Sequence, residues 1–167
     1  MKICFINPAP LSYLIERGHE TTGAYPPLGI LYISAYLKRE GYNSVLIDQH
    51  ATKIPTTKVL EKIKKIDPEI IGFNTLTDIN MGLRATFIAK IIKQWNPNVK
   101  IVFGNRHATF NHDRLLKKYP SIDICVRGEG EITFHELVKA IEKNKDLKSV
   151  LGITYRCLLY TSPSPRD

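Results

Sequence analysis

Five short apolar segments, separated by helical patterns, most strongly limit what this chain can fold into. Each is five or six residues long and rich in Ile, Val or Phe, which is typical of a strand, and the first reads as a buried one. The segments are KICFIN at 2–7, SVLID at 44–48, EIIGFN at 69–74, VKIVFG at 99–104 and IDICV at 122–126. Strands that alternate with helices predict an α/β fold, in which a five-stranded parallel sheet carries helices on both faces.

Two of the helical patterns carry a marked apolar stripe, which predicts a face that packs on the core. The first helix follows Pro26-Pro27, and its apolar residues at i, i+3, i+4 and i+7 are Leu28, Leu31, Tyr32 and Ala35. The helix predicted over 80–95 has apolar residues four apart, namely Leu83, Phe87, Ile91 and Trp95.

The chain divides into one domain and a distinct carboxyl-terminal end. We expect a single folded domain over 1–148, and SVLGITYR at 149–156 is either a last strand or the start of a linker. The sequence CLLYTSPSPRD at 157–167 is Pro/Ser-rich and aperiodic, so it is not expected to fold. It resembles translated cloning sequence, which predicts that the chain is a fragment of a longer protein.

Composition indicates a globular protein of the cytoplasm. Apolar residues make up 43% and charged residues 24%, and no apolar run is long enough to span a membrane. The three cysteines form no close pair, so the sequence suggests neither a disulfide framework nor a zinc site. The net charge of +8 comes from lysines scattered over polar helix faces. This pattern favours a solvated surface, and we expect neither nucleic acid nor membrane as a partner.

Ligands of open α/β sheets bind beyond the carboxyl ends of the strands, where the strand order reverses. For the common flavodoxin-like order 2-1-3-4-5, the relevant turns read NPAP, NTLT, GNRHAT and RGEGE. The first turn lacks the glycines of an NAD fingerprint, and no GxxxxGK[ST] phosphate loop is present. Asn7 and Thr75 stand where a phosphorylatable receiver would carry acids.

The turn RGEGE at 127–131 combines bare backbone with acidic side chains. Gly128 and Gly130 permit close backbone approach, whereas Glu129 and Glu131 would repel a pyrophosphate. Glu131 also fits a purely structural role, because an acid at the start of a helix interacts favourably with the helix dipole. A flat ligand with amide donors would use both features. A corrin ring has such an amide rim, and its nucleotide tail has only one phosphate.

Four segments of the chain resemble a known family in their order and spacing. They are YPPLGILYISAYLKREGYNSVLID, IIGFNTLT, IVFGNRHATF and IDICVRGEGEITFHELV. Over residues 1 to about 156 the chain is similar to the amino-terminal cobalamin-binding domain of B12-dependent radical SAM proteins. The most specific pieces are HAT at 107–109 and RGEGE at 127–131.

The resemblance implies a Rossmann-like domain that holds the nucleotide tail of cobalamin against the sheet. The residues that it would place around the cofactor are Thr75, Leu76, Thr77, Gly104, Asn105, His107, Ala108, Thr109, Gly128, Glu129 and Gly130. The resemblance also implies that cobalamin binds base-off. A histidine ligand from the protein is not expected, because the loop SYLIERGHETTG lacks the DxHxxG pattern around His19. His107 is expected to contact the loop or the tail and not a metal.

The resemblance also implies a larger enzyme. S-adenosylmethionine and a [4Fe-4S] cluster would bind in a downstream radical SAM domain, since this chain has no CxxxCxxC motif. In such an enzyme a substrate radical takes a methyl group from methylcobalamin, or undergoes related chemistry. The chain itself is predicted to carry no catalytic residue and no turnover.

Two alternatives remain open from the sequence. Relatives commonly have a second glycine after the position of Gly104, where this chain has Asn105-Arg106. The same fold could therefore have lost the cofactor and act as a docking domain. A nucleotide-binding domain on the same sheet is the other alternative.

Overall fold

The computed structural model describes residues 1–10, 25–75, 79–156 and 160–161. The strands are β1 (Ile3–Asn7), β2 (Ser44–Asp48), β3 (Ile70–Asn74), β4 (Lys100–Gly104), β5 (Ile124–Val126), β6 (Ile153–Tyr155) and β7 (Tyr160–Thr161). The α-helices are α1 (Leu28–Arg39), α2 (Gln49–Thr52), α3 (Thr56–Ile66), α4 (Ile79–Trp95), α5 (Asn105–Lys118) and α6 (Glu131–Glu142), and a 3₁₀ turn spans Leu147–Ser149.

The strands form one sheet in the order β2-β1-β3-β4-β5-β6-β7. Strands β1 to β5 are parallel, which confirms the predicted fold class and the order 2-1-3-4-5. The sheet continues beyond the five predicted strands, because β6 and β7 add to it antiparallel. Segment 149–156 therefore contributes a strand and not only a linker. Within 157–167 the structure describes the two residues of β7, where the sequence predicted no strand.

Alternate residues of each strand point to opposite faces of the sheet, so the sheet separates two apolar cores. One core contains Ile6, Phe73 and Phe103 and is covered by α3, α4 and α5. The other contains Phe5, Val102 and Val126 and is covered by α1 and α6. The helices thus lie on both faces, as predicted.

Two predicted helix stripes do not face the core along their length, although Trp95 at the end of the second one packs against it. In α1, Leu28 is 61% exposed and Tyr32 is 64% exposed, whereas Ile30 and Leu37 are buried. In α4, Phe87 is 56% exposed, and the buried residues at helical spacing are Ala85, Ile88, Ala89 and Ile92. Both helices carry two apolar stripes, and the packed one is not the one selected from the sequence. Within the described ranges, no helix combines the length and apolarity that crossing a membrane would require.

Candidate functional site

The carboxyl ends of four neighbouring strands carry a chain of hydrogen-bonded side chains. The strands end in step, since Asn7 pairs with Asp48 and Asn74 pairs with Gly104. The amide of Asn7 donates to Asp48 Oδ1 at 2.9 Å, and the amide of Asn74 donates to Asn7 Oδ1 at 2.9 Å. The amide of Asn105 then donates to Asn74 Oδ1 at 2.7 Å. These hydrogen-bonded side chains hold the junction between β4 and α5 in place.

A cavity of about 440 Å³ opens beside this edge, on the sheet face that α1 and α6 cover. Its volume falls within the range of about 300–1,000 Å³ that is usual for ligand pockets. The residues that line it are Phe5, Gly29, Ile30, Ile33, Gly72, Phe73, Asn74, Val102, Gly104, Asn105, Arg106, Thr109, Phe110, Val126, Gly128, Glu129, Gly130, Glu131 and Phe134.

The part of the cavity over the sheet is apolar and aromatic. Phe5 packs on Phe134 with ring centroids 4.9 Å apart, and Val102 and Val126 lie on the same face. Gly72 stands beside Phe5 in the register, and a Cβ there would lie 2.6 Å from the Phe5 ring. The glycine therefore lets the phenyl ring lie across the neighbouring strand. A flat apolar group would find matching surfaces here.

The mouth of the cavity is kept open by glycines. Gly104 follows Val102 by two residues on β4, so a side chain at 104 would point to the same face and into the cavity. A Cβ built at Gly104 or at Gly128 meets no atom within 4 Å. Gly128 also has a φ of +68°, which favours glycine. The space that these side chains would occupy is thus free for a ligand.

Thr109 joins the two turns at the mouth. Its hydroxyl oxygen accepts a hydrogen bond from the Gly128 N–H at 3.1 Å, and its hydroxyl donates to the Asn105 carbonyl at 3.0 Å. The HAT and RGEGE segments, which stood out separately in the sequence, are therefore bonded to each other. Asn105 has a φ of +76°, and its side-chain oxygen accepts the Arg106 N–H, so asparagine supports the left-handed turn.

Six of the predicted site residues line this cavity. They are Gly104, Asn105, Thr109, Gly128, Glu129 and Gly130. Leu76 and Thr77 lie outside the described residues, as does His19.

Thr75, His107 and Ala108 do not line the cavity. Thr75 is fully buried, and its hydroxyl donates a hydrogen bond to the Gly104 carbonyl at 2.6 Å, which helps to fix the Gly104 backbone. Ala108 is buried in the core on the opposite face of the sheet. His107 lines a separate cavity of about 350 Å³ beside α4. The reason is that α5 begins at Asn105, so helical rotation turns residues 107 and 108 away from residues 105 and 109.

The imidazole of His107 sits in a setting that disfavours its charged form. Burial lowers the pKa of His107, and the charge of Arg114 lowers it further. Nowhere in the described part of the chain do three or more His, Cys, Asp or Glu side chains gather as a metal site would require.

The wall of the cavity that α1 and the sheet contribute was not predicted from the sequence. Gly29, Ile30 and Ile33 of α1 line the cavity, as do Phe5 and Phe134. A glycine inside a helical pattern, as at position 29, is a signal that could have pointed to this wall. The apolar residues gave no such signal, because they look like ordinary core.

Comparison with known proteins identifies the family. The family model described as B12 binding domain matches residues 17–138. An uncharacterized methyltransferase of Pyrococcus horikoshii is 40% identical over 156 residues, an alignment that covers 93% of this chain and 33% of that protein. The anaerobic magnesium-protoporphyrin IX monomethyl ester cyclase of Rubrivivax gelatinosus is 35% identical over 93% of this chain and 28% of its own length. The chain thus spans about a third of the length of these relatives.

Solved structures share the fold. The cobalamin-dependent radical SAM enzyme OxsB, with aqua-cobalamin and S-adenosylmethionine bound, superposes with a TM-score of 0.80 at 22% identity. That match covers 98% of this chain and 22% of OxsB. The radical SAM methyltransferase TsrM from Kitasatospora setae, with cobalamin and a [4Fe-4S] cluster bound, gives a TM-score of 0.74 at 17% identity, covering 98% of this chain and 29% of TsrM. This chain belongs to the B12-binding domain family and is related to cobalamin-dependent radical SAM enzymes.

Proposed function

We propose that this chain binds cobalamin, with the nucleotide tail in the cavity between the sheet and helices α1 and α6. The observation that carries the proposal is the open space at Gly104 and Gly128, at the carboxyl edge of the sheet. Gly104 has φ −136° and ψ −175°, an extended conformation that any residue can adopt. Its backbone therefore does not require glycine, and free space for a ligand gives a reason for the missing side chain.

The chemistry of the cavity matches the order of groups along the tail. The flat base fits the apolar part formed by Phe5, Val102 and Phe134. The ribose and phosphate would lie nearer the polar mouth, where Thr109 and the backbone of the turns are found. The corrin ring is too large for a cavity of about 440 Å³, so it would rest at the mouth beside Gly128 and Gly130. When bound, cobalamin supplies a cobalt centre that carries alkyl groups.

Burial of the tail requires its base to leave the cobalt, so we expect the base-off form. His107 of α5 lines the other cavity, so we do not expect it to coordinate cobalt. We propose that the protein contributes the tail site and the surface under the corrin, and no metal ligand from the described residues.

We further propose that the domain works within a larger radical SAM enzyme. Support comes from the relatives, of which this chain spans about a third. S-adenosylmethionine and the iron–sulfur cluster would then bind outside residues 1–156, and the substrate would be set by that other region. Finding a CxxxCxxC motif in the coding sequence that follows residue 156 in the genome would support this proposal, and an unrelated downstream sequence would contradict it.

Binding can be tested by mixing the purified chain with hydroxocobalamin and passing it through a desalting column. We expect corrin absorbance to elute with the protein, in a spectrum that matches base-off corrinoid in acid. A protein fraction without corrin absorbance at saturating cofactor would contradict the proposal.

The loss of cofactor binding through Asn105 and Arg106 is not favoured by the geometry. The cavity keeps its volume of about 440 Å³ with both residues in its lining. If crowding nevertheless prevented binding, the double variant Asn105→Gly/Arg106→Ala would take up corrinoid and the wild type would not.

A thermal-shift series with nucleotides and corrinoids tests the remaining alternative, a nucleotide-binding domain, because a ligand stabilises the fold that it binds. Stabilisation by nucleotides alone would favour a nucleotide site.

A further inference from the structure

One positively charged side chain stands beside two glutamates in the lining of this largely apolar cavity. Arg106 is the only positively charged residue in the described lining, which also holds Glu129 and Glu131. Its side chain is exposed and forms no ion pair with any residue that the structure describes. The guanidinium is therefore available to a ligand.

The backbone of Arg106 is fixed by the chain of amides at the sheet edge. Asn105 donates to Asn74 Oδ1 at 2.7 Å, and its own side-chain oxygen accepts the Arg106 N–H at 2.6 Å. Because Asn74 is in turn bonded to Asn7, the first turn of α5 is tied to the ends of β1 and β3. The Arg106 side chain thus extends from a backbone position that hydrogen bonds hold in place, and not from an unsupported loop.

The nucleotide tail of cobalamin carries one negative charge, on the phosphate between ribose and corrin. With the base placed against Phe5 and Phe134 as proposed above, that phosphate would lie at the polar mouth of the cavity, which Arg106 and Thr109 line. Glu129 and Glu131 would repel it there, so a cation is needed to offset them. A guanidinium is well suited, since it binds phosphate through two parallel hydrogen bonds, and the start of helix α5 adds a favourable dipole.

We propose that Arg106 binds the phosphate of the nucleotide tail and makes the site selective for complete cobalamin over corrinoids that lack the tail. The inference rests on the proposed cobalamin binding. It assigns to Arg106 a favourable role in cofactor binding.

The test compares cobalamin with cobinamide, which keeps the corrin ring and lacks the base, ribose and phosphate. Dissociation constants for both are measured by equilibrium dialysis with wild type, Arg106→Ala and Arg106→Lys. A charge-assisted hydrogen bond corresponds to roughly ten- to hundred-fold in affinity, so Arg106→Ala should weaken cobalamin binding by about that factor. Cobinamide binding should stay unchanged, and Arg106→Lys should restore part of the loss.

Arg114→Ala is the matched control, because it removes the same charge from the same helix and lies outside this cavity. It should leave both constants unchanged. An equal loss for both corrinoids in Arg106→Ala would assign Arg106 to the corrin or to the general charge, and unchanged or tighter cobalamin binding would show no phosphate contact. Either result overturns the inference alone. Failure of wild type to bind either corrinoid would overturn the proposed function together with it.

Discussion

Replacing Gly104 with leucine should block the nucleotide tail while leaving the fold intact. A Cβ at this position meets no atom within 4 Å, and strand alternation directs it into the cavity, on the face of Val102. The backbone is extended, at φ −136° and ψ −175°, so leucine adopts it without strain. The variant therefore separates loss of cavity space from loss of structure.

The expected loss of binding free energy in Gly104→Leu is larger than the expected loss of folding stability. An isobutyl group that keeps about 100 Å² of apolar tail surface out of the cavity costs about 2.5 kcal/mol of binding free energy, or roughly 70-fold in Kd. Gly104 also precedes α5 as its N-cap, where leucine is less favourable than glycine by about 1 kcal/mol. That loss lowers the Tm by about 2–4 °C in a domain of this size.

Equilibrium dialysis against hydroxocobalamin measures the binding, and thermal unfolding followed by circular dichroism measures the stability. Gly104→Ala should give a smaller loss of affinity, in proportion to its size. Gly82→Ala is the control on the opposite face, since its Cβ would make only ordinary contact with the His107 ring at 3.5 Å. Wild-type affinity in a folded Gly104→Leu protein would refute the placement of the tail in this cavity.

Three other residues give further predictions. Gly72→Ala should lower the free energy of unfolding by about 1–3 kcal/mol in urea titrations, because its Cβ would lie 2.6 Å from the Phe5 ring. Thr109→Val removes the hydroxyl that accepts the Gly128 N–H, so stability should fall by about 1 kcal/mol and cobalamin binding should weaken, whereas Thr109→Ser should retain both. The pKa of His107 in an NMR titration should lie below its ordinary value of 6.5, because burial disfavours the imidazolium. The unfolded chain then takes up the proton first, so the stability from this group is complete above pH 6.5 and falls as the pH drops through the folded pKa.

Each of these has a result that would count against it. Unchanged stability of Gly72→Ala would mean that the Phe5 ring moves aside at no cost. Equal stability and equal cobalamin binding of Thr109→Val and Thr109→Ser would show that the Thr109 hydroxyl contributes to neither. A His107 titration at or above pH 6.5 would show that the ring is solvated and not buried.

The sheet was predictable because its signal is local. Each of the five parallel strands is a short apolar run, and strands that are buried along their whole length, such as β1 and β3, need little else. The sequence does not decide whether β6 forms, because only Ile153–Tyr155 pair with β5 and so short a segment carries no clear period. Its place in the sheet depends on the antiparallel return of the chain, which the pattern does not encode.

The packed face of α1 was not predictable from spacing alone. Ile30, Ile33 and Leu37 are spaced i, i+3 and i+7, and so form a second stripe as regular as that of Leu28 and Leu31. Which stripe packs is decided by the fit against the sheet and α6, where Ile33 lies close enough to Gly130 to leave no room for a Cβ. Periodicity identifies a helix but does not choose between two apolar faces.

The turns of the candidate site were predictable from the sequence. Which of their side chains line the cavity was not. Gly104 and Gly128 were predictable because Gly104 ends β4 and Gly128 comes shortly after β5, at the edge of the sheet where ligands bind. A loop conformation of GNRHAT would allow His107 and Thr109 to lie side by side, whereas α5 begins at Asn105 and its rotation places them on two faces. The sequence therefore predicts which segments line the cavity, but not which of their side chains do so.

The placement of the nucleotide tail is tested most directly by electron paramagnetic resonance of bound cob(II)alamin. If the tail occupies the cavity beside Gly104, its base cannot coordinate cobalt, so the spectrum should lack the nitrogen splitting of an axial base. A protein-bound spectrum that retains this splitting from the cofactor's own base would contradict the placement.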